Sequence, residues 1–227
     1  MTEPTTRTPQ PTTEPTTRDA GPADRATTAV AATDPATAVV AAATELTERA
    51  LEVAAELTER ASDLPADATP SSFRTMMSGF PTGVCVVTAF DGTGAPRGMT
   101  CSSVCSVSLE PPTLLVCLRR GSPTLDAVLE AGRFTVNLLH EGAQDTAELF
   151  ASGNPDRFLM TSWEGEPRTG GPQLVKDAHT VADCDVVLTQ RMGDHVTVFG
   201  AARRISTGQA QPPLLYGLRQ FRAWSAV

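Results

Sequence analysis

Positive charge is scarce in this chain: 18 Lys and Arg face 26 Asp and Glu, for a formal net charge of -8. Such a balance offers no broad field for holding a phosphate backbone and disfavours nucleic acid as a partner; any bound anion must be held locally. No run approaches the ~20 consecutive apolar residues that a membrane span requires. The opening Met-Thr-Glu-Pro-Thr-Thr-Arg also lacks the basic-then-apolar order of a signal peptide. These absences predict a cytoplasmic protein with no membrane partner. The five cysteines, Cys85, Cys101, Cys105, Cys117 and Cys184, are odd in number and form no Cys-x-x-Cys. Neither a disulfide framework nor a metal site fits that spacing, and buried small hydrophobes are expected instead. Only three histidines exist, His140, His179 and His195. A Walker loop, a Gly-x-Ser-x-Gly elbow and a His-Glu-x-x-His helix are all missing, and Gly92-x-Gly94 runs into a strand, against a dinucleotide fingerprint. Asp194 beside His195 is not expected to orient it, since neighbours on a strand point to opposite faces.

Aromatics are missing from the first seventy residues altogether: all eight Phe, both Trp and the single Tyr follow position 70. Five Arg stand against twelve Asp and Glu in that tail, so it carries nearly all of the net charge. Residues 1–33 repeat Thr-Glu-Pro-Thr-Thr-Arg and have too little apolar surface to offset chain entropy, so disorder is expected. From Asp34, with Pro35 at a first helical position, the pattern predicts one long amphipathic helix over 34–64. Leu46, Ala50, Val53, Leu57 and Leu64 line one stripe, flanked by Glu45 with Arg49 and Glu56 with Arg60. That helix suits dimerisation or partner docking, and equally a helix lying on its own domain or a partly folded spacer.

Residues 71–227 form the folded domain. A short helix is predicted over 73–80 and strands over 83–90, 97–107, 113–118, 133–139, 181–188 and 196–205. Helices are predicted from Ser122-Pro123 to about Glu130 and over 143–151, with a turn at Asp91 to Gly94. Six strands in hairpin order with sparse helices argue a mainly β fold, a closed or split antiparallel barrel.

Two features carry chemistry. Thr100 to Ser108 is dense in hydroxyls and small side chains where a barrel would prefer bulk, which lets a flat ligand approach closely; a polar outer face is the competing reading. Arg119-Arg120-Gly121-Ser122 ends a strand and opens a helix, joining two guanidiniums to a helix N-terminus; a solvated turn is the competing reading. Together they favour a phosphorylated planar cofactor.

Five ordered blocks then carry a resemblance. They are Phe80 to Val84, Arg97 to Val104 with Ser106 to Pro112, Phe134 to Leu139, Gly193-Asp194-His195, and Pro213 to Tyr216. The chain resembles the flavin reductase family, small NAD(P)H:flavin oxidoreductases that supply reduced flavin to two-component monooxygenases. The resemblance implies an FMN-binding split barrel of Greek-key type with short peripheral helices, a homodimer, FMN or FAD as cofactor, NADH or NADPH as hydride donor, and a monooxygenase partner. It places Pro81, Thr82 and Gly83 at the ring. Met99, Thr100, Cys101, Ser102 and Ser103 fall along ring and ribityl chain, and Arg119, Arg120, Gly121 and Ser122 near phosphate. Phe150 and Ala151 are weaker flavin candidates. His195 faces the nicotinamide, with Asp194 and Tyr216 beside it. Where the family usually has Asn before Ser, this chain has Ser102, and the aromatic often found next is Val104. No side-chain acid or metal is implied in catalysis, because hydride transfer between stacked rings needs neither. A non-catalytic flavin-storage protein on the same barrel, or an interaction protein built around its tail helix, are the alternatives.

Overall fold

The computed structural model describes residues 68–224 together with Glu45, Glu48, Arg49, Leu51, Glu52, Val53 and Glu56. Those seven positions are helical. The disorder expected over 1–33 and most of the helix expected over 34–64 lie outside the described residues, and a continuous helix there is not shown. Among the described residues no helix is long and apolar enough to cross a membrane.

The first helix, α1 (Pro70–Ser78), starts one turn earlier than its apolar spacing suggests. Thr69 and Ser72 form a reciprocal capping box, and Pro70 stands where its missing N–H costs nothing. Its apolar residues do not enter the core: Phe73, Met76 and Met77 are exposed, as is Phe80 just beyond it. Two further helices, α2 (Pro123–Ala131) and α3 (Gln144–Ala151), match their expected positions.

Among the described residues ten strands replace the expected six. They are β1 (Thr82–Gly83), β2 (Cys85–Phe90), β3 (Pro96–Cys101), β4 (Val104–Leu109), β5 (Pro112–Arg119), β6 (Arg133–Leu139), β7 (Ala178–Met192), β8 (His195–Thr207), β9 (Leu214–Gly217) and β10 (Gln220–Ala223). All pairings between them are antiparallel. One sheet runs β3-β2-β6-β7-β8-β5-β4 and a smaller one β1-β9-β10. The strand expected over 97–107 is therefore two strands on opposite edges of the large sheet. Only Ser102 and Ser103 join them, so the sheet must curl until its edges nearly meet. Cys117 N–H donates to the Ser103 carbonyl at 3.2 Å, which continues the β4–β5 pairing one residue beyond the start of β4. No ladder pairs β3 with β4, and the closed barrel among the sequence expectations is thereby corrected to an open, strongly curled sheet.

β2 is buried at every position because both of its faces are covered. On the inner face Val87, Val116, Leu118, Phe134, Val136 and Val198 pack with Leu125 and Val128 of α2. On the outer face Val86, Leu139, Phe150, Leu174 and Leu214 form a second cluster. Burial of each such side chain contributes about 1.5–3 kcal/mol.

The second cluster is bordered by a row of polar groups. Thr88, Thr135 and Asp183 lie in register on β2, β6 and β7. Thr135 Oγ1 accepts from Gly171 N–H at 2.7 Å and donates to Asp183 Oδ1 at 2.7 Å. Asp183 also accepts from Arg204 Nε at 2.8 Å, and Thr88 Oγ1 donates to the Pro172 carbonyl at 2.6 Å. Asn137, two residues along the same face, accepts from Leu174 N–H at 2.8 Å. These bonds clamp residues 170–174 onto the sheet. A Cβ at Gly171 would stand 2.2 Å from the Thr88 carbonyl oxygen, so no larger residue fits there. Thr135→Val keeps the shape but leaves Gly171 N–H and Asp183 each short of a partner, at about 1–3 kcal/mol per orphaned group. A thermal melt of this variant is expected to fall by ~2–4 °C for each kcal/mol lost, and an unchanged melt would show that the clamp is dispensable.

Candidate active site

The seam between β3 and β4 is where the small hydroxylated residues come to the surface. Ser102 and Ser103 are exposed and lie outside any ladder, while Thr100 Oγ1 donates to the Ala147 carbonyl at 2.6 Å and ties β3 to α3. On one side of the seam a cavity of about 420 Å³ is lined by Val84, Thr100, Ser102, Glu148, Ala151 and Tyr216 among others. On the other a groove of about 840 Å³ runs past Phe80, Thr82, Ser103, Cys105, Leu115 and Tyr216. Ser102 and Tyr216 line both, so the two are contiguous. Tyr216 is set there by pairing with Thr82 in the small sheet and by packing on Phe221, ring centroids 5.0 Å apart.

The fold thus gathers Thr82, Thr100, Ser102, Ser103, Ala151 and Tyr216 from the sequence candidates. Others stand apart from these two cavities. Pro81 lines a separate hollow with Leu215 and Gly217, and Gly83 pairs with Leu215. Cys101 belongs to the inner core, with Met99 packed against it. Phe150 is fully buried, edge-on to Phe158 at 5.0 Å, which is ordinary core packing.

Arg119, Arg120, Gly121 and Ser122 line neither cavity; the first two meet the Gly193-Asp194-His195 block. Arg119 pairs with His195 across β5 and β8. Arg120 N–H donates to the Asp194 carbonyl at 2.9 Å, and its guanidinium reaches the Gly193 carbonyl at 3.3 Å. Val116, Leu118, Val196 and Val198 point inward, and alternation puts Arg119 and His195 on the outward face with Cys117 and Thr197. The contact of Cys117 Sγ with Thr197 Oγ1 at 3.6 Å fixes that face. Ser122 Oγ accepts from Leu125 N–H at 3.2 Å and is the N-cap of α2.

One expectation is overturned. Asp194 Oδ1 lies 2.8 Å from His195 Nδ1, so these neighbours do interact. The alternation argument fails because Gly193 and Asp194 form the tight turn between β7 and β8, with Gly193 at φ 55°, and only His195 is on a strand. The hydrogen bond to His195 holds the Asp194 carboxyl below its ordinary range.

The cysteines divide. Cys85, Cys101 and Cys184 are buried as expected, Cys117 is half-buried, and Cys105 is exposed on the groove wall. Cys85 Sγ donates to the Cys101 carbonyl at 3.2 Å. Its contact with the Cys101 thiol, together with burial, pushes the Cys85 thiol up, and the same contact lowers Cys101. Sequence reasoning missed Cys105, Glu148, Arg74 and Arg219 as lining residues. The alternation of β4 carried a signal only for Cys105, which shares the outward side with Leu115, its partner on β5.

Residues 77–225 match the flavin reductase like domain. The chain belongs to this family. It is 48% identical to a flavin reductase (NADPH) of Lentzea aerocolonigenes, over 69% of this chain and 91% of that protein. It is 41% identical to a flavin reductase (NADH) of Kitasatospora aureofaciens, over 67% and 81%. Among solved structures it is similar to the styrene monooxygenase flavin reductase of Pseudomonas putida S12, with a TM-score of 0.62 and 28% identity over 69% of this chain and 99% of that one.

Exposure ranks the thiols of this family member. A disulfide reagent added to the native protein is expected to modify Cys105 in a fast phase and the buried thiols only on unfolding. Cys105→Ser should abolish the fast phase, and its persistence would put another thiol at the surface.

Proposed function

We propose that this protein is an NAD(P)H-dependent flavin reductase that binds FMN or FAD at the Ser102–Ser103 seam and delivers reduced flavin to a monooxygenase. The observation that carries the reading is the pair of contiguous cavities meeting at Ser102 and Tyr216. Their residues fit a flavin: small side chains allow close approach, hydroxyls and free backbone N–H groups match ring carbonyls, and Tyr216 offers an aromatic wall. A flavin held there supplies the hydride acceptor, its N5 atom.

The chain's own part is binding and orientation. Ser102 and Ser103 donate to the polar edge of the ring, with Thr82 of β1 and Thr100 of β3 shaping the surrounding wall. Ala151 closes the far side and Phe150 supports it from the core. Arg119 and Arg120, at the turn before α2, supply charge for phosphate. Asp194 accepts from Nδ1–H of His195, which leaves Nε2 free to accept from an amide or hydroxyl of the nicotinamide nucleotide. Holding the two nucleotides at reactive distance is the catalytic contribution asked of these residues. The Asp194–His195 pair favours an enzyme over a flavin-storage protein, which has no use for a nicotinamide contact. A homodimer belongs to the reading; exposed Val107, Leu109, Val187 and Leu188 on β4 and β7 offer the apolar surface a second copy would cover.

Mixing the protein with NADH or NADPH and with FMN or FAD, and following nicotinamide absorbance, tests the reading directly; no loss of absorbance with any pair would refute it. His195→Ala is expected to raise KM for the nicotinamide nucleotide roughly two- to tenfold, the loss of one neutral hydrogen bond. Flavin affinity should be little changed, and equal damage to both substrates would remove His195 from the nicotinamide side.

A further inference from the structure

The groove on the α1 side of the seam is electrically uneven. Arg74 of α1 and Arg219 of the β9–β10 turn both line it, no carboxylate does, and the remaining walls are apolar or hydroxylated. Across the seam the adjoining cavity has the opposite character, with Glu148 its only charged lining residue. Among the described residues neither arginine is in an ion pair. A nucleotide entering these joined cavities meets a field along its length that favours its anionic end near the arginines and its uncharged ring toward Ser102.

Arg219 is held there at a conformational cost. Gly217 and Gln220 close a two-residue hairpin, and Leu218 and Arg219 between them adopt φ 50° and 61°. Such turns favour Asn or Gly, because a Cβ is disfavoured in the left-handed region. Leu218 N–H donates to the Ser78 carbonyl at 2.6 Å, which fastens the turn to the end of α1 and puts Arg219 on the same wall as Arg74. A left-handed non-glycine pair maintained against its own preference, with the charged member on a cavity wall, marks a position kept for what its side chain does.

We propose that Arg74 and Arg219 form an anion pole that binds a phosphate group of the nucleotide seated in the groove, separate from the Arg119–Ser122 turn beside His195. The inference rests on the flavin-reductase reading and adds to it a second phosphate site.

Flavin affinities, measured by fluorescence titration without turnover, test it. Arg74→Ala with Arg219→Ala should weaken FMN, FAD or NADP⁺ by roughly tenfold to a hundredfold, as expected for lost charge-assisted bonds. Riboflavin, which has the same ring and no phosphate, should bind as before. Loss confined to the flavin nucleotides assigns the pole to flavin phosphate, and loss confined to NADP⁺ assigns it to the nicotinamide nucleotide. Arg219→Gly separates binding from folding: it relieves the left-handed strain, so its melting temperature should hold or rise while phosphate-dependent affinity falls. Unchanged affinity for all three phosphorylated ligands, or an equal loss for riboflavin, overturns the pole while leaving the reductase reading intact. Failure of the unaltered chain to bind any flavin would instead defeat the reductase reading, and the pole with it.

Discussion

Ser102 and Ser103 are all that separates two strands lying at opposite edges of a seven-stranded sheet. The three residue steps from Cys101 to Val104 span at most about 11 Å, so the sheet has no freedom to lie flat. It must curl until β3 and β4 stand side by side, and the inner core, the placing of α2 against it and the outward presentation of β5 and β8 all follow from that closure. The strands it brings together are not in ladder register with each other, which leaves backbone at the seam unpaired apart from the Ser103 carbonyl. A groove with free donors, bounded by small side chains, is the direct product of this connection. The ligand site is therefore a consequence of topology before it is a consequence of any single side chain.

Legibility in the sequence followed the strength of local patterns. The Asp91 turn was readable because Asp91 accepts from Thr93 and Ala95 N–H and pairs with Arg97, a local network that lowers its pKa to about 2, chiefly through the Thr93 hydroxyl. β6 was readable to the residue because its apolar positions and its inserted Thr135 and Asn137 serve two faces at once. The break at Ser102 was not, since alternation continues through it and nothing local reports that the chain has changed edges. β9 and β10 escaped because four-residue strands containing Gly217 and Arg222 carry no period. The far ends of β7 and β8 extend beyond the apolar cores that were recognised, through exposed residues such as Arg191 and Ser206.

For the site, what was readable was the hydroxyl-rich stretch and the His195 block, and what was not was their spatial arrangement. Arg119 and His195 lie far apart in the chain and become neighbours only through the β5–β8 ladder. Arg74 and Arg219 are brought to one wall by a single backbone bond from Leu218 to Ser78. Asp194 could not be paired with His195 from strand geometry because the pairing belongs to a turn. Charges that look scattered in a near-neutral domain are thus local, each placed by a different connection.

An open sheet keeps two rims, and each rim exposes hydrogen-bonding groups to which another strand could add. Here both are blunted. α3 lies against β3 through the Thr100 bond, and β4 carries a bulge where Ser106 and Ser108 face Leu114 and Thr113, with Val107 left over between them. That extra residue bends the rim and breaks the even spacing a neighbouring chain would need to extend the sheet. The curl that opens a binding groove leaves this edge free, and the bulge at Val107 works against strand addition along it.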